Sequence, residues 1–140
     1  VKSYKENLKS LTIDSEAVIF TGQVEYKFIP LYLRAVDIVV VPSPERKQFA
    51  LTTSPIKIFE FLAAGKVIIA SDLLTFRAYL NEKNALFFEP ENYQDLVKKI
   101  EFILNNSEVA ERLSKQAFLD AGQYSWLNRA KKIIDFISLR

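Results

Sequence analysis

The 140-residue chain is 49% hydrophobic and 26% charged, with 19 basic and 17 acidic residues and a net charge of +2. That suits one globular domain with its own core and excludes a disordered chain. Cysteine and histidine are absent, which excludes thiolate catalysis, a zinc centre and an imidazole base, and with no disulfide a reducing compartment fits.

Charges of both signs are interspersed, and no apolar run approaches the roughly 18 residues of a membrane span. Neither a nucleic-acid-binding tail nor a spanning helix is expected, and no signal peptide is visible. The opening stretch "VKSYKENLKSL" puts Tyr4, Leu8 and Leu11 on one helical face. A start in mid-helix without Met is expected of a piece cut from a longer polypeptide; a processed terminus gives the same start.

Four apolar runs follow: "AVIFTG" (17–22), "VDIVVVP" (36–42), "KVIIAS" (66–71) and "ALFFEP" (85–90). Each is rich in β-branched or aromatic residues and none alternates strictly with polar ones, the pattern of strands covered on both faces of a parallel sheet. Helical segments are predicted between them at about 26–35, 55–64 and 75–81. Strand and helix alternating in this way predict an α/β three-layer sandwich with a parallel sheet of about four to five strands.

After Pro90 the pattern turns wholly helical. "NYQDLVKKIEFILNN" has Asn92 as its cap and Leu96, Val97, Ile100, Ile103 and Leu104 as its apolar face. "SEVAERLSKQAFLDAG" runs from Ser107 to Gly122 with Val109, Leu113 and Ala117 inward. "SWLNRAKKIIDFI" starts at Ser125 and stripes Trp126, Ala130, Ile133, Ile134 and Ile137. These extra C-terminal helices are expected to form packing layers rather than membrane or partner helices. No linker or repeat divides the chain, so 1–140 reads as a single domain.

In open parallel sheets ligands sit beyond the carboxyl ends of the strands. Gly22, Ser43 and Asp72 follow three of the predicted strands, and the start of the 55–64 helix lies on the same edge. These residues, with Ser54 and Lys57, are therefore expected to converge on one cleft. That helix has Ser54 as cap, Pro55 at its first position and Gly65 as its stop. Its anomaly is Lys57, a cation in the first turn, where the helix dipole disfavours it by roughly 0.3–1 kcal/mol. Free backbone donors at Ile56 and Lys57, the dipole and the ammonium together suit a phosphate. Glu60, one turn along the same face, can accept hydrogen bonds from a vicinal diol such as a ribose. Structural roles stand beside each of these: Lys57 and Glu60 as a solvated i,i+3 pair, Ser54 as a plain cap, Gly22 as a turn, Pro42-Ser43-Pro44 as a stiff loop and Asp72 as the N-cap of the next helix.

Three stretches resemble a known family in the right order: "IFTGQVEYKFIPLYLRAVDIVVVPS", "SPIKIFEFLAAGKVIIASD" and "NEKNALFFEPENYQDLVKKIEFILNN". Covering roughly residues 16–138, they are similar to the retaining glycosyltransferases of group 1, whose GT-B fold has two Rossmann-like domains. The resemblance implies a partial C-terminal, donor-binding Rossmann-like domain, its partner being a missing N-terminal acceptor-binding domain. It implies transfer of a sugar, of hexosyltransferase type, from a nucleotide-diphosphate donor to a glycan or lipid-linked acceptor with retention. It implies inactivity of the isolated piece, no cofactor or metal, and a cytoplasmic location with possible association of the full protein with the membrane face.

Carried onto this sequence, the resemblance assigns Glu60 to the ribose hydroxyls and the Ile56 and Lys57 amides to the diphosphate. Gln23, Val24, Pro42 and Ser43 match the walls around the base. The chain departs from the family pattern at Thr52, where many members have a first glutamate, at Val67 after Gly65-Lys66, and at Ala78 after Arg77. A non-catalytic Rossmann-like interaction module or degenerate transferase domain is the alternative these departures motivate. A phospho-receiver domain lacks its acidic pair here.

Overall fold

A computed structural model describes residues 17–44 and 56–138. The expected helix at 1–11, Ser54 and Pro55 lie outside the described residues. Three parallel strands, β1 (Ile38–Val41), β2 (Val67–Ser71) and β3 (Leu86–Phe88), form a sheet in the order β1-β2-β3. Ile38 lies opposite Val67 and Val41 opposite Ala70, while Ile69 faces Leu86 and Ser71 faces Phe88.

The strands are joined by helices, as parallel pairing requires. A 3-10 turn at Tyr26–Phe28 leads into α1 (Ile29–Ala35), which precedes β1. Helix α2 (Ile56–Ala64) connects β1 to β2, and the short α3 (Leu74–Arg77) lies between β2 and β3. Helices α4 (Tyr93–Leu104), α5 (Ser107–Ala121) and α6 (Trp126–Ser138) follow, with a 3-10 turn at Gly122–Tyr124 before the last.

Every residue of β2 is buried. Because successive side chains point to opposite faces, Ile68 and Ala70 enter one apolar cluster with Ile58, Leu62, Phe76 and Ala117, and Val67 and Ile69 enter another with Phe88, Ile103 and Leu113. The central strand is thus covered on both sides, which explains its uninterrupted apolar run. Helix α5 supplies Leu113 to one cluster and Ala117 to the other, while α4 turns Leu96, Ile100 and Ile103 inward and leaves Val97 and Leu104 exposed.

Two helix ends follow directly from local chemistry. The Asn92 side chain accepts a hydrogen bond from the Asp95 amide at 3.0 Å, capping α4. Gly65 ends α2 at φ +60°, its N–H donating to the Leu62 carbonyl, and a Cβ there would meet Phe118 Cβ at 3.3 Å.

Three expectations are corrected. Residues 17–22 form no strand: the segment pairs with none of the three strands of the described sheet, a count near the expected four to five, and Ile19 is exposed. Apolar, β-branched composition favours extended backbone, but a strand exists only where a neighbour completes its ladder. The helix expected at 75–81 is the four-residue α3, because Asn81 and Asn84 side chains accept the Lys83 and Asn81 amides and turn the chain instead. Helix α6 forms where its periodicity places it, but it is no packing layer: it has no buried residue. Both faces of β2 are already covered by α2 to α5, leaving its stripe no place on the core.

Candidate functional site

Burial of Ile58 and Leu62, one turn apart, fixes the roll of α2 about its axis. That roll leaves Ile56 and Lys57 exposed at the helix start and Glu60 half-buried on an outer flank. Glu60 lines a groove of about 370 Å³ between α1 and α2, with Tyr26, Ile29, Pro30, Leu33 and Arg34 on its far side and floor. A carboxylate in a mostly apolar groove retains its hydrogen-bonding capacity for an incoming hydroxyl.

Lys57 and Glu60 do not form the solvated i,i+3 pair: among the described residues neither has an ion-pair partner. The first turn of α2 therefore presents an uncompensated ammonium beside backbone N–H groups without intrahelical acceptors. Such an end attracts an anion.

A second cleft, of about 290 Å³, opens at the carboxyl ends of the strands. It is lined by Pro42, Ser43 and Pro44 after β1, Ser71 and Phe88 at the ends of β2 and β3, and Asn92, Tyr93 and Leu96 at the start of α4. Buried Ser71 holds the loop after β1: its Oγ accepts the Ser43 amide at 2.9 Å. Among the described residues, the groove and the cleft share no lining residue. Gly22 sits at φ +69°, a left-handed turn suited to glycine, and is exposed like Gln23, while Val24 is half-buried. Ser54 lies outside the described residues.

Asp72 is not the N-cap of α3; that position is Leu73, with no side-chain cap. Asp72 instead receives two hydrogen bonds from Arg77, Nε to Oδ1 at 2.7 Å and Nη2 to Oδ2 at 3.0 Å. The bidentate geometry outcompetes a single cap bond. Arg77 also binds Glu82 and stacks 3.7 Å above the Phe87 ring. The Arg77 hydrogen bonds hold the Asp72 carboxyl below its usual pKa, and those from Asp72 and Glu82 push Arg77 above its own.

This knot, the Ser71 clasp and the left-handed Glu91 (φ +62°) beside the cleft were not legible in the sequence. A serine closing an otherwise apolar strand was the one available signal for the clasp. Among the described residues, no group of three or more His, Cys, Asp or Glu side chains could hold a metal ion.

Comparisons with known proteins bear on this geometry. Residues 2–120 match the family model described as "Glycosyl transferases group 1". A Bacillus subtilis (strain 168) protein named "Putative teichuronic acid biosynthesis glycosyltransferase TuaH" is 38% identical over 56 residues, 40% of this chain and 14% of that protein. The structure of Anabaena Alr3699/HepE in complex with UDP and glucose superposes with a TM-score of 0.79 at 19% identity, covering 99% of this chain and 36% of the other. The C-terminal domain of LpcC, a glycosyl transferase group 1 family protein from Francisella tularensis, gives 0.68 at 20% identity over 87% of this chain and 60% of that one. The chain thus spans about a third of the Anabaena protein and a smaller share of TuaH. The solved structures establish the fold, a Rossmann-like α/β domain of the GT-B type.

Proposed function

The chain belongs to the glycosyl transferases group 1 family, and on that premise we propose that the start of α2 and the α1–α2 groove receive a nucleotide-diphosphate sugar for transfer to a glycan or lipid-linked acceptor. The observation that carries this reading is the pair of uncompensated charges on one helix, Lys57 at the tip and Glu60 a turn deeper in a groove. A diphosphate meets the Ile56 and Lys57 amides and the ammonium, while the ribose diol donates to Glu60. Gln23, Val24, Pro42 and Ser43 are assigned to the base end, and Gly22 and Ser54 to the same donor site. That Anabaena Alr3699/HepE was solved with UDP and glucose supports the same ligand class here.

The same electrostatics serve transfer of a hexosyl group, with the retention that the family resemblance implies. As the glycosidic bond breaks, negative charge grows on the departing diphosphate. A fixed helix end and an ammonium stabilise that charge more in the transition state than in the ground state, which is the condition for catalysis. The acceptor side is assigned to a separate domain of the intact enzyme, leaving this domain alone inactive.

Calorimetric titration with UDP, GDP and ADP tests the site. One of the three is expected to bind, and Glu60→Gln to weaken it by the loss of charged hydrogen bonds, about 1.5–3 kcal/mol or roughly 10- to 150-fold. No binding to the native chain, or equal binding to Glu60→Gln, overturns the assignment.

A further inference from the structure

The α1–α2 groove has two distinct ends. Helix α1 runs into β1, and near its end the Arg34 carbonyl accepts a hydrogen bond from the Lys66 ammonium at 3.1 Å. Lys66 stands just before β2, so Arg34 marks the amino edge of the sheet. The 3-10 turn at Tyr26–Phe28, at the other end of α1, therefore lies toward the carboxyl edge, where α2 also begins. Tyr26 and Glu60 line the groove together from opposite walls.

Tyr26 is 78% exposed, although the turn that carries it is held in place. The Phe28 amide donates to the Glu25 carbonyl at 2.9 Å, and Lys27 pairs with Glu25 and lies over the Phe28 ring. Among the described residues, the Tyr26 ring has no aromatic or cationic partner of its own. Ile29, Pro30 and Leu33 beside it are aliphatic, so Tyr26 is the one aromatic ring among the residues lining the groove.

We propose that the Tyr26 ring is the stacking platform for the donor's nucleobase, a role that rests on the proposed donor site. A ribose whose vicinal hydroxyls meet Glu60 carries its base on the adjacent ring carbon, which places the base in the same groove. Laid against the phenol ring, the base exchanges water for a π contact worth roughly 5- to 150-fold in affinity. Stacking uses the face of the base and not its hydrogen-bonding edge. Tyr26 thus separates nucleotides from base-free sugar phosphates, rather than one base from another.

The whole chain and its Tyr26→Ala, Tyr26→Phe and Glu60→Gln variants are titrated with UDP, GDP and ADP by calorimetry, and the base protons of the bound nucleotide are followed by NMR. Tyr26→Ala is expected to weaken binding by that factor, and Tyr26→Phe, which keeps the ring, to restore it. The ring current should move the base protons upfield in the native complex and in Tyr26→Phe but not in Tyr26→Ala, a signature that a merely structural residue would not produce. The side chain is exposed, and unchanged circular dichroism verifies that each variant folds. Native-like affinity in Tyr26→Ala, equal weakening in Tyr26→Phe, or no upfield shift in the native complex overturns the stacking role, while loss of affinity in Glu60→Gln leaves the donor site standing. No binding to the native chain, or equal binding to Glu60→Gln, overturns both.

Discussion

Replacing Ser71 by alanine isolates the clasp that holds the loop after β1. Ser71 is fully buried at the end of β2, and its Oγ is the acceptor for the Ser43 amide at 2.9 Å. Removing the hydroxyl leaves that N–H without its partner, which costs about 1–3 kcal/mol in a buried setting. Ser43 is only half-buried and borders an open cleft, so water recovers part of the loss. The cost falls at the lower end, about 1–1.5 kcal/mol. Urea unfolding should show a lower midpoint with an unchanged slope, since the same surface is exposed on unfolding. Native-state hydrogen exchange gives the local reading: the Ser43 amide should exchange roughly tenfold faster, while amides of β2 slow or quicken only with global stability. Equal protection of Ser43 in the two proteins would refute the clasp, whatever the midpoint does.

Arg77→Met keeps an apolar stem over Phe87 and removes the charge. Its partners are half to three-quarters exposed, so a loss of only about 0.5–1 kcal/mol is expected at pH 7. Because Asp72 has its folded pKa depressed, the pair's contribution is present above the ordinary carboxylate range and is lost as pH falls through the folded value. Chemical unfolding of both proteins from pH 7 to pH 3 should therefore show the gap closing on the acid side; a gap constant with pH contradicts the ion-pair account. Glu91 holds a left-handed backbone conformation that asparagine tolerates better, and Glu91→Asn should raise the calorimetric Tm by about 2 °C, from roughly 0.5 kcal/mol of relieved strain. An unchanged or lower Tm argues against strain there.

What the sequence determined by itself was whatever depends on near neighbours. The continuous apolar run 67–71 announced a strand buried on two faces, Gly65 the end of α2, and Asn92 the start of α4, since each of these is decided by backbone conformation and side chains within one turn. The charge of Lys57 and Glu60 and their spacing on one helix were equally legible. That they remain unpaired and that Glu60 borders a groove required the packing of α1 against α2.

The rest was settled by partners distant in the chain. Among the described residues, 17–22 had the composition of a strand but pair with no neighbour, and α6 had the stripe of a packing helix but buries no residue. Ser43 meets Ser71 across 28 positions, and Asn84 reaches Asp120 across 36. Composition fixes what a segment could bury or pair; only the folded chain decides whether the complementary surface is there, because hydrogen bonds and apolar burial are properties of two partners.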